Sequence, residues 1–368
     1  MSEEYYFHTE GLTVGYDGTP LIQDICLRLR RGEILTLIGP NGAGKTTILK
    51  SLIRQLAPLA GTIFLDGREL ASLSGHELST KMSVVLTERV RPEMMTCEDV
   101  VATGRYPYTG RFGVLTEEDR RIVQESMDLV HIGDLAERDF TRTSDGQKQR
   151  VMLARAICQE PEILVLDEPT SFLDMKHKLE FLSILQDMTR TRRLSVILSL
   201  HELDLAERIS DQVACVRGDH IARFGPPEEI FTSGRIPELF GLTVGSYDAR
   251  TGDVELAAVR GEPQVFVLGG CGTATPFYRR LQREGTPFAT GILWENDLDY
   301  PAAKALASRV LSVPAFAEAG EDILQEARAL MEHCPQIICP PELAQQPNLP
   351  PCLRELIRLY QITARQFS

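Results

Sequence analysis

Residues 39–47 read GPNGAGKTT, which places one lysine, two threonines and three glycines within a few positions. Gly39 to Thr46 fits G-x-x-x-x-G-K-[ST], the spacing of a loop that wraps phosphate. Gly39, Gly42 and Gly44, with Pro40, Asn41 and Ala43 between them, let backbone N–H groups close around phosphate oxygens. Lys45 can then reach the β and γ oxygens, and the Thr46 hydroxyl can ligate magnesium. A second candidate is the carboxylate pair Asp167 and Glu168, which follows the run ILVL. The aspartate can hold the magnesium shell and the glutamate can orient and polarise an attacking water. By themselves these carboxylates are equally good strand-end caps. The third is TSDGQKQR, residues 143–150, ahead of a helical pattern with Val151, Ala154 and Cys158 on one side. The free N–H groups of a helix start attract an anion, although this stretch alone is also an ordinary cap. Together the three point to binding and hydrolysis of a nucleoside triphosphate.

Such groups need rigid supports. Residues 34–38 (ILTLI), 163–166 (ILVL) and 195–200 (SVILSL) are apolar runs without alternation, as expected of strands buried on both faces of a mostly parallel sheet. Residues 45–56 place Ile48, Leu49, Leu52, Ile53 and Leu56 on one helical face, and Pro58 with Gly61 closes that segment. From about residue 90 to 150 the character changes to a small helical insert. It contains the loop GRYPYTGRFG and then TEEDRRIVQESMDLV, where Thr116 and Asp119 form a capping-box pattern and Ile122, Val123, Met127 and Val130 a buried side.

A length of 368 residues exceeds what one core usually serves, so two domains are expected. The formal net charge of -13 argues against a surface built to neutralise nucleic-acid phosphates. The N-terminus MSEEYYFHTE lacks the basic and apolar regions of a secretory signal, and no run of about 18 apolar residues occurs. The eight cysteines are scattered without zinc-site spacing, which fits a reducing compartment and thiols used as small apolar residues.

The ordered set resembles the ATP-binding-cassette (ABC) ATPases over residues 1 to about 245. GPNGAGKT is similar to the first nucleotide motif, TSDGQ to the family signature, ILVLDE to the second nucleotide motif, SFLD to the loop after it, and His201 to the switch histidine. The resemblance implies an α/β cassette fold with two copies head to tail, each ATP lying between the phosphate loop of one and the signature of the other. Ser144 and Gly146 would then meet the γ-phosphate held by the second copy, with Gln147 also among the nucleotide-binding residues and Asp174 at the seam. Tyr16, in GYDG, would stack on adenine; Thr47 completes the phosphate loop. Glu168 would act on the water and His201 on the γ-phosphate. Two departures stand out. Where the family has a magnesium-sensing glutamine, MSVVLTERV places Thr87 with Glu88 beside it, either of which can serve the metal. The signature carries Thr143 and Asp145 where Leu and Gly are usual, and a carboxylate beside a triphosphate is electrostatically awkward, so Asp145 is expected to point away.

The loop GRYPYTGRFG and the SDGQ signature resemble the subgroup that energises prokaryotic importers of iron siderophores, haem and corrinoids. That implies a peripheral subunit on the cytoplasmic face of the plasma membrane, partnered by polytopic permease subunits and, indirectly, an extracytoplasmic substrate-binding protein. The alternatives are an importer for another solute and a soluble non-transport ABC ATPase; the latter is disfavoured by the single cassette, the absence of sustained heptads and the acidic balance.

The resemblance stops before residues 262–368, which read as a separate, smaller α/β domain after a linker at 246–261. In VFVLGGCGTATPFYRRL, a glycine-rich loop follows a strand, and Thr275 can cap a helix opening at Pro276. That arrangement can be a phosphate or nucleotide site, or simply a tight turn. A regulatory role, by sensing a ligand or by holding two cassettes together, is the expectation for this tail.

Overall fold

The computed structural model describes residues 5–86, 92, 94–110, 113–232, 234–248 and 252–366. Thr87 and Glu88, the two candidates for the glutamine position, lie outside the described residues. The chain divides into two compact units, Met1–Phe240 and Gly241–Ser368.

The first unit contains a six-stranded sheet in the order His220–Gly225, Gln212–Arg217, Ile34–Ile38, Ser195–Ser199, Ile163–Leu166, Met82–Val85. Every pairing is parallel except that of the edge strand His220–Gly225. The three apolar runs are buried along their whole length, as their lack of alternation requires. A second, antiparallel sheet gathers Thr19–Ile25, Phe7–Tyr16, Ala60–Leu65 and Arg68–Glu69, with Arg28–Leu29 beside Phe7–Tyr16. This sheet adds to the mostly parallel architecture expected from the sequence, and it brings Tyr16 to the end of its strand.

Helix Lys45–Leu52 sits in a core shared by the two sheets. Phe7, Leu12 and Ile22 of one, Leu35, Val165 and Ile197 of the other, and Ile48, Leu49 and Leu52 of the helix form one cluster. Burying each such side chain contributes about 1.5–3 kcal/mol, so the helix behind the phosphate loop is firmly anchored. The helix ends at Leu52 rather than running to Leu56, because Arg54 takes a left-handed conformation (φ 60°) that a right-handed helix cannot continue through.

Between the adjacent strands Met82–Val85 and Ile163–Leu166 stand helices Cys97–Ala102, Glu117–Leu129 and Asp145–Cys158. Thr116 and Asp119 make the capping box read from the sequence. The first part of the loop, residues 104–110, is tied down by two of its own side chains. Buried Arg105 bonds Asp119 at 2.9 Å, the Cys158 carbonyl at 2.8 Å and Glu160 at 2.8 Å, while the Tyr108 hydroxyl donates to the Gln159 carbonyl at 2.9 Å.

The second unit is a four-stranded, all-parallel sheet in the order Arg309–Val313, Phe288–Trp294, Val265–Leu268, Gln336–Ile338. Successive residues of VFVL feed opposite cores: Val265 and Val267 pack with Tyr278, Leu281 and Leu306, and Phe266 and Leu268 with Leu324, Ala327 and Leu356. Helices therefore cover both faces. Within the expected linker, Ser246–Tyr247 and Val254–Glu255 pair antiparallel.

All eight cysteines are free thiols, most of them buried. Among the described residues no helix is long and apolar enough to cross a membrane.

Candidate nucleotide site

Strand Ile34–Ile38 delivers the chain to Gly39, whose φ of 151° and close approach to the Val216 carbonyl exclude any side chain: a Cβ there would lie 2.3 Å from that oxygen. Gly44 (φ 94°) opens helix Lys45–Leu52, and a Cβ there would meet Ile22 at 2.6 Å. No side chain caps this helix and no acidic residue lies in its first turn. Its N–H groups are left for a ligand, which is the condition for anion binding. Ala43 closes the loop by donating its N–H to the Pro40 carbonyl at 3.2 Å, and Asn41 and Gly42 (φ 76°) form the bend.

Lys45 is buried and folds its Nζ onto the Gly39 and Pro40 carbonyls at 2.9 and 3.1 Å. Burial lowers its pKa, opposed by the charges of Glu168 and Asp167. Two carbonyls are weak partners for an ammonium, so Lys45 is a cation ready to take phosphate oxygens.

Asp167 is buried at the end of Ile163–Leu166. Its Oδ2 accepts from the Thr46 hydroxyl at 2.9 Å and its Oδ1 from the Ser199 hydroxyl at 2.7 Å. A hydroxyl and a carboxylate side by side at the phosphate loop are hard oxygen donors, the set magnesium takes together with substrate phosphates. The Ser199 hydroxyl also accepts the Glu168 N–H at 2.9 Å. Glu168 has a φ of 48°, a left-handed conformation uncommon for a residue with a side chain, so it departs from the strand geometry of the residues before it. Its Oε1 lies 2.5 Å from Nε2 of His201, just after strand Ser195–Ser199. Tyr16 is 49% exposed, with its hydroxyl 3.2 Å from that of Thr47. Tyr16, the phosphate loop, Asp167, Glu168 and His201 thus gather at one edge of the fold.

The signature lies in a different place. Ser144 caps helix Asp145–Cys158, its hydroxyl accepting from the Gln147 N–H at 3.2 Å while the Gln147 side chain accepts from the Ser144 N–H at 3.0 Å. Asp174 caps helix Met175–Arg192 in the same manner, bonding the His177 N–H at 2.9 Å, which holds its carboxyl below the usual range. Ser144, Gly146, Gln147 and Asp174 line one open cleft, and no residue of the phosphate loop belongs to it. Asp145 lies on the same cleft, its carboxylate 4.0 Å from the ammonium of Lys148 three residues on. The phosphate loop and the signature are therefore separate sets of residues on the chain. Phe172, 51% exposed, also lines the signature cleft.

Ser199 is the functional residue that the sequence reading missed. The signal was a serine closing the apolar run SVIL two positions before His201, beside a strand that ends in two carboxylates.

The family model for the ABC transporter matches residues 22–171, and that of the MJ0874 family matches residues 288–361. An uncharacterized ABC transporter ATP-binding protein of Methanocaldococcus jannaschii is 41% identical over 289 residues, covering 77% of this chain and 99% of that protein. The cobalamin import ATP-binding protein of Halobacterium salinarum is 33% identical over 313 residues, covering 83% and 78%. The chain belongs to the ABC transporter ATP-binding proteins. Among solved structures, an inward-facing metal-chelate type ABC transporter aligns with a TM-score of 0.59 at 25% identity, covering 69% of this chain and 97% of that one. As an ABC ATPase, the protein binds ATP and couples its hydrolysis to transport.

Proposed function

We propose that this ABC ATPase powers the import of a metal chelate, with a corrinoid the first choice and an iron siderophore or haem next. Two copies act on two permease subunits at the cytoplasmic face of the membrane, and an extracytoplasmic binding protein delivers the cargo. The cargo class is supported by the names of the relatives. The two-copy arrangement is supported by the separation of the two motifs: the cleft lined by the signature contains none of the phosphate-binding groups.

The observation that carries the catalytic reading is the contact of Glu168 with His201 beside the Thr46–Asp167 pair. Glu168 accepts a proton from water as the water oxygen bonds to the γ-phosphorus and the bond to the bridging oxygen breaks. His201 holds the γ-phosphate and Lys45 spreads charge from the β and γ oxygens. Thr46 and Asp167 would hold magnesium, with Thr87 or Glu88 completing the shell; the ion neutralises the phosphate oxygens when bound. Ser144, Gly146 and Gln147 of the second copy close over the γ-phosphate, Asp174 lies at the seam, and Tyr16 stacks on adenine.

Glu168→Gln tests this directly. With ATP and magnesium, hydrolysis by the complex with the permease should fall by about 10²–10⁴-fold, while ATP still brings two copies of the full chain together in the absence of the permease, read by chromatography and light scattering. A variant that stays monomeric at saturating ATP would defeat the reading.

A further inference from the structure

The strand order of the C-terminal unit reverses beside its first strand: Phe288–Trp294 and Arg309–Val313 lie on one side of Val265–Leu268, and Gln336–Ile338 on the other. In parallel sheets of this kind a crevice opens outside the carboxyl ends of the strands at that reversal, and ligands bind there. Two depressions are found at this end, of about 480 and 720 Å³ with open solvent included, and they share Cys271, Trp294 and Asp297. The loop between Trp294 and Tyr300 forms one wall, and Asn348 and Leu353 form part of the other.

The charge of this crevice is set by two carboxylates. Asp299 is wholly buried and accepts from the N–H groups of Gly270, Ala274 and Thr275 and from the Thr275 hydroxyl, at 2.7–3.1 Å. Asp297, half-exposed at the crevice wall, accepts from the Cys271 and Asp299 N–H groups at 2.9 and 2.8 Å. Among the described residues neither is paired with a lysine, arginine or histidine. The donors that an anion would need are therefore consumed, and the field left over is negative. The exposed Cys271 thiol feels it: burial, then Asp297 and Asp299, hold its pKa above the ordinary thiol range.

Trp294 has its indole N–H committed to the Ala317 carbonyl at 2.7 Å, which fixes the ring; the side chain packs in part against the core and its remaining surface lines both depressions. Leu298 (74% exposed) and Phe316 (92% exposed) stand on the rim as uncovered apolar groups. An aromatic face beside an unneutralised carboxylate suits a flat cation, which gains from both.

We propose that this crevice binds a small planar aromatic cation, stacked on Trp294 and held by Asp297, and rejects anionic ligands, phosphates included. This goes beyond the cassette chemistry and does not rest on it.

Benzamidine and benzoate, equal rings of opposite charge, serve as probes of the full chain. Trp294 is the sole tryptophan, so its emission reports this crevice alone. Benzamidine should change that emission saturably and protect Cys271, but not the exposed Cys26, from iodoacetamide in peptide mass spectra. Benzoate should do neither at about 10 mM. Asp297→Asn should weaken benzamidine about tenfold by calorimetry. Should that variant misfold by circular dichroism, Phe316→Lys, which adds a positive charge on the exposed rim, should weaken it severalfold. Equal response to both probes, silence to benzamidine at about 10 mM, or unchanged affinity in the folded variants overturns the proposal.

Discussion

Two loops of this molecule have the same outline and opposite electrostatics. GPNGAGKT follows ILTLI and starts helix Lys45–Leu52; GGCGTA follows VFVL and starts helix Thr275–Arg283. Both use glycines at positive φ to turn from a buried strand end into a helix. In the first the helix start carries no cap and a buried lysine waits beside it. In the second, Asp299 reaches in from the following loop and takes three N–H groups for itself. Thr275 is thus not the cap that the sequence suggested; it lies within the helix and donates its own hydroxyl to Asp299. A glycine-rich turn supplies donors, and a residue elsewhere decides whether a substrate or the protein uses them.

Four substitutions break or sharpen this contrast. The largest effect is expected for Lys45→Ala, which takes away the only side-chain cation bonded within the first loop; ATP hydrolysis by the assembled complex should drop by about 10³-fold or more, measured as phosphate release. Next is Asp299→Asn, which turns an NH₂ toward backbone donors and leaves buried N–H groups unmet. It should destabilise the C-terminal unit by about 2–4 kcal/mol in urea unfolding, with nucleotide binding to the first unit retained. An equal loss of ATP affinity would remove the contrast. Ser199→Ala is smaller: the hydroxyl that joins Asp167 to the Glu168 backbone disappears, and kcat should fall about tenfold with KM little changed. A KM rise with kcat intact would assign Ser199 to binding instead. Smallest in its effect on turnover is Leu49→Ala behind the first loop. It should cost about 2–5 kcal/mol of stability while turnover at low temperature changes least, which separates the anchoring of that helix from its chemistry.

Much of the first unit was legible because its signals are local. Unbroken apolar runs marked the strands, a fixed spacing marked the phosphate loop, and Thr116 with Asp119 marked a helix start. The antiparallel sheet left a weaker mark. FHTEGLTVGY carries alternation along much of its length, and its burial follows that pattern apart from a register shift near Gly11–Leu12. What stayed hidden depends on distance along the chain. Asp299 acts on residues 24 to 29 positions away, and Ser199 on Asp167 32 positions away, so no window of periodicity contains either pair. Arg54 ended a helix that its apolar spacing would have continued, since a single backbone conformation outweighed the pattern. The same locality explains why the phosphate loop and the signature were readable one by one, whereas the separation of the signature cleft from the phosphate loop needed coordinates.

Glu168, bent into a left-handed backbone, sets fitness against durability at one position. Glycine there would relax the chain by about 1 kcal/mol and raise the melting temperature, yet discard the carboxylate beside His201. Glu168→Gly made directly should therefore melt later than its parent, and a variant that melted no later would show that the bend carries no tension.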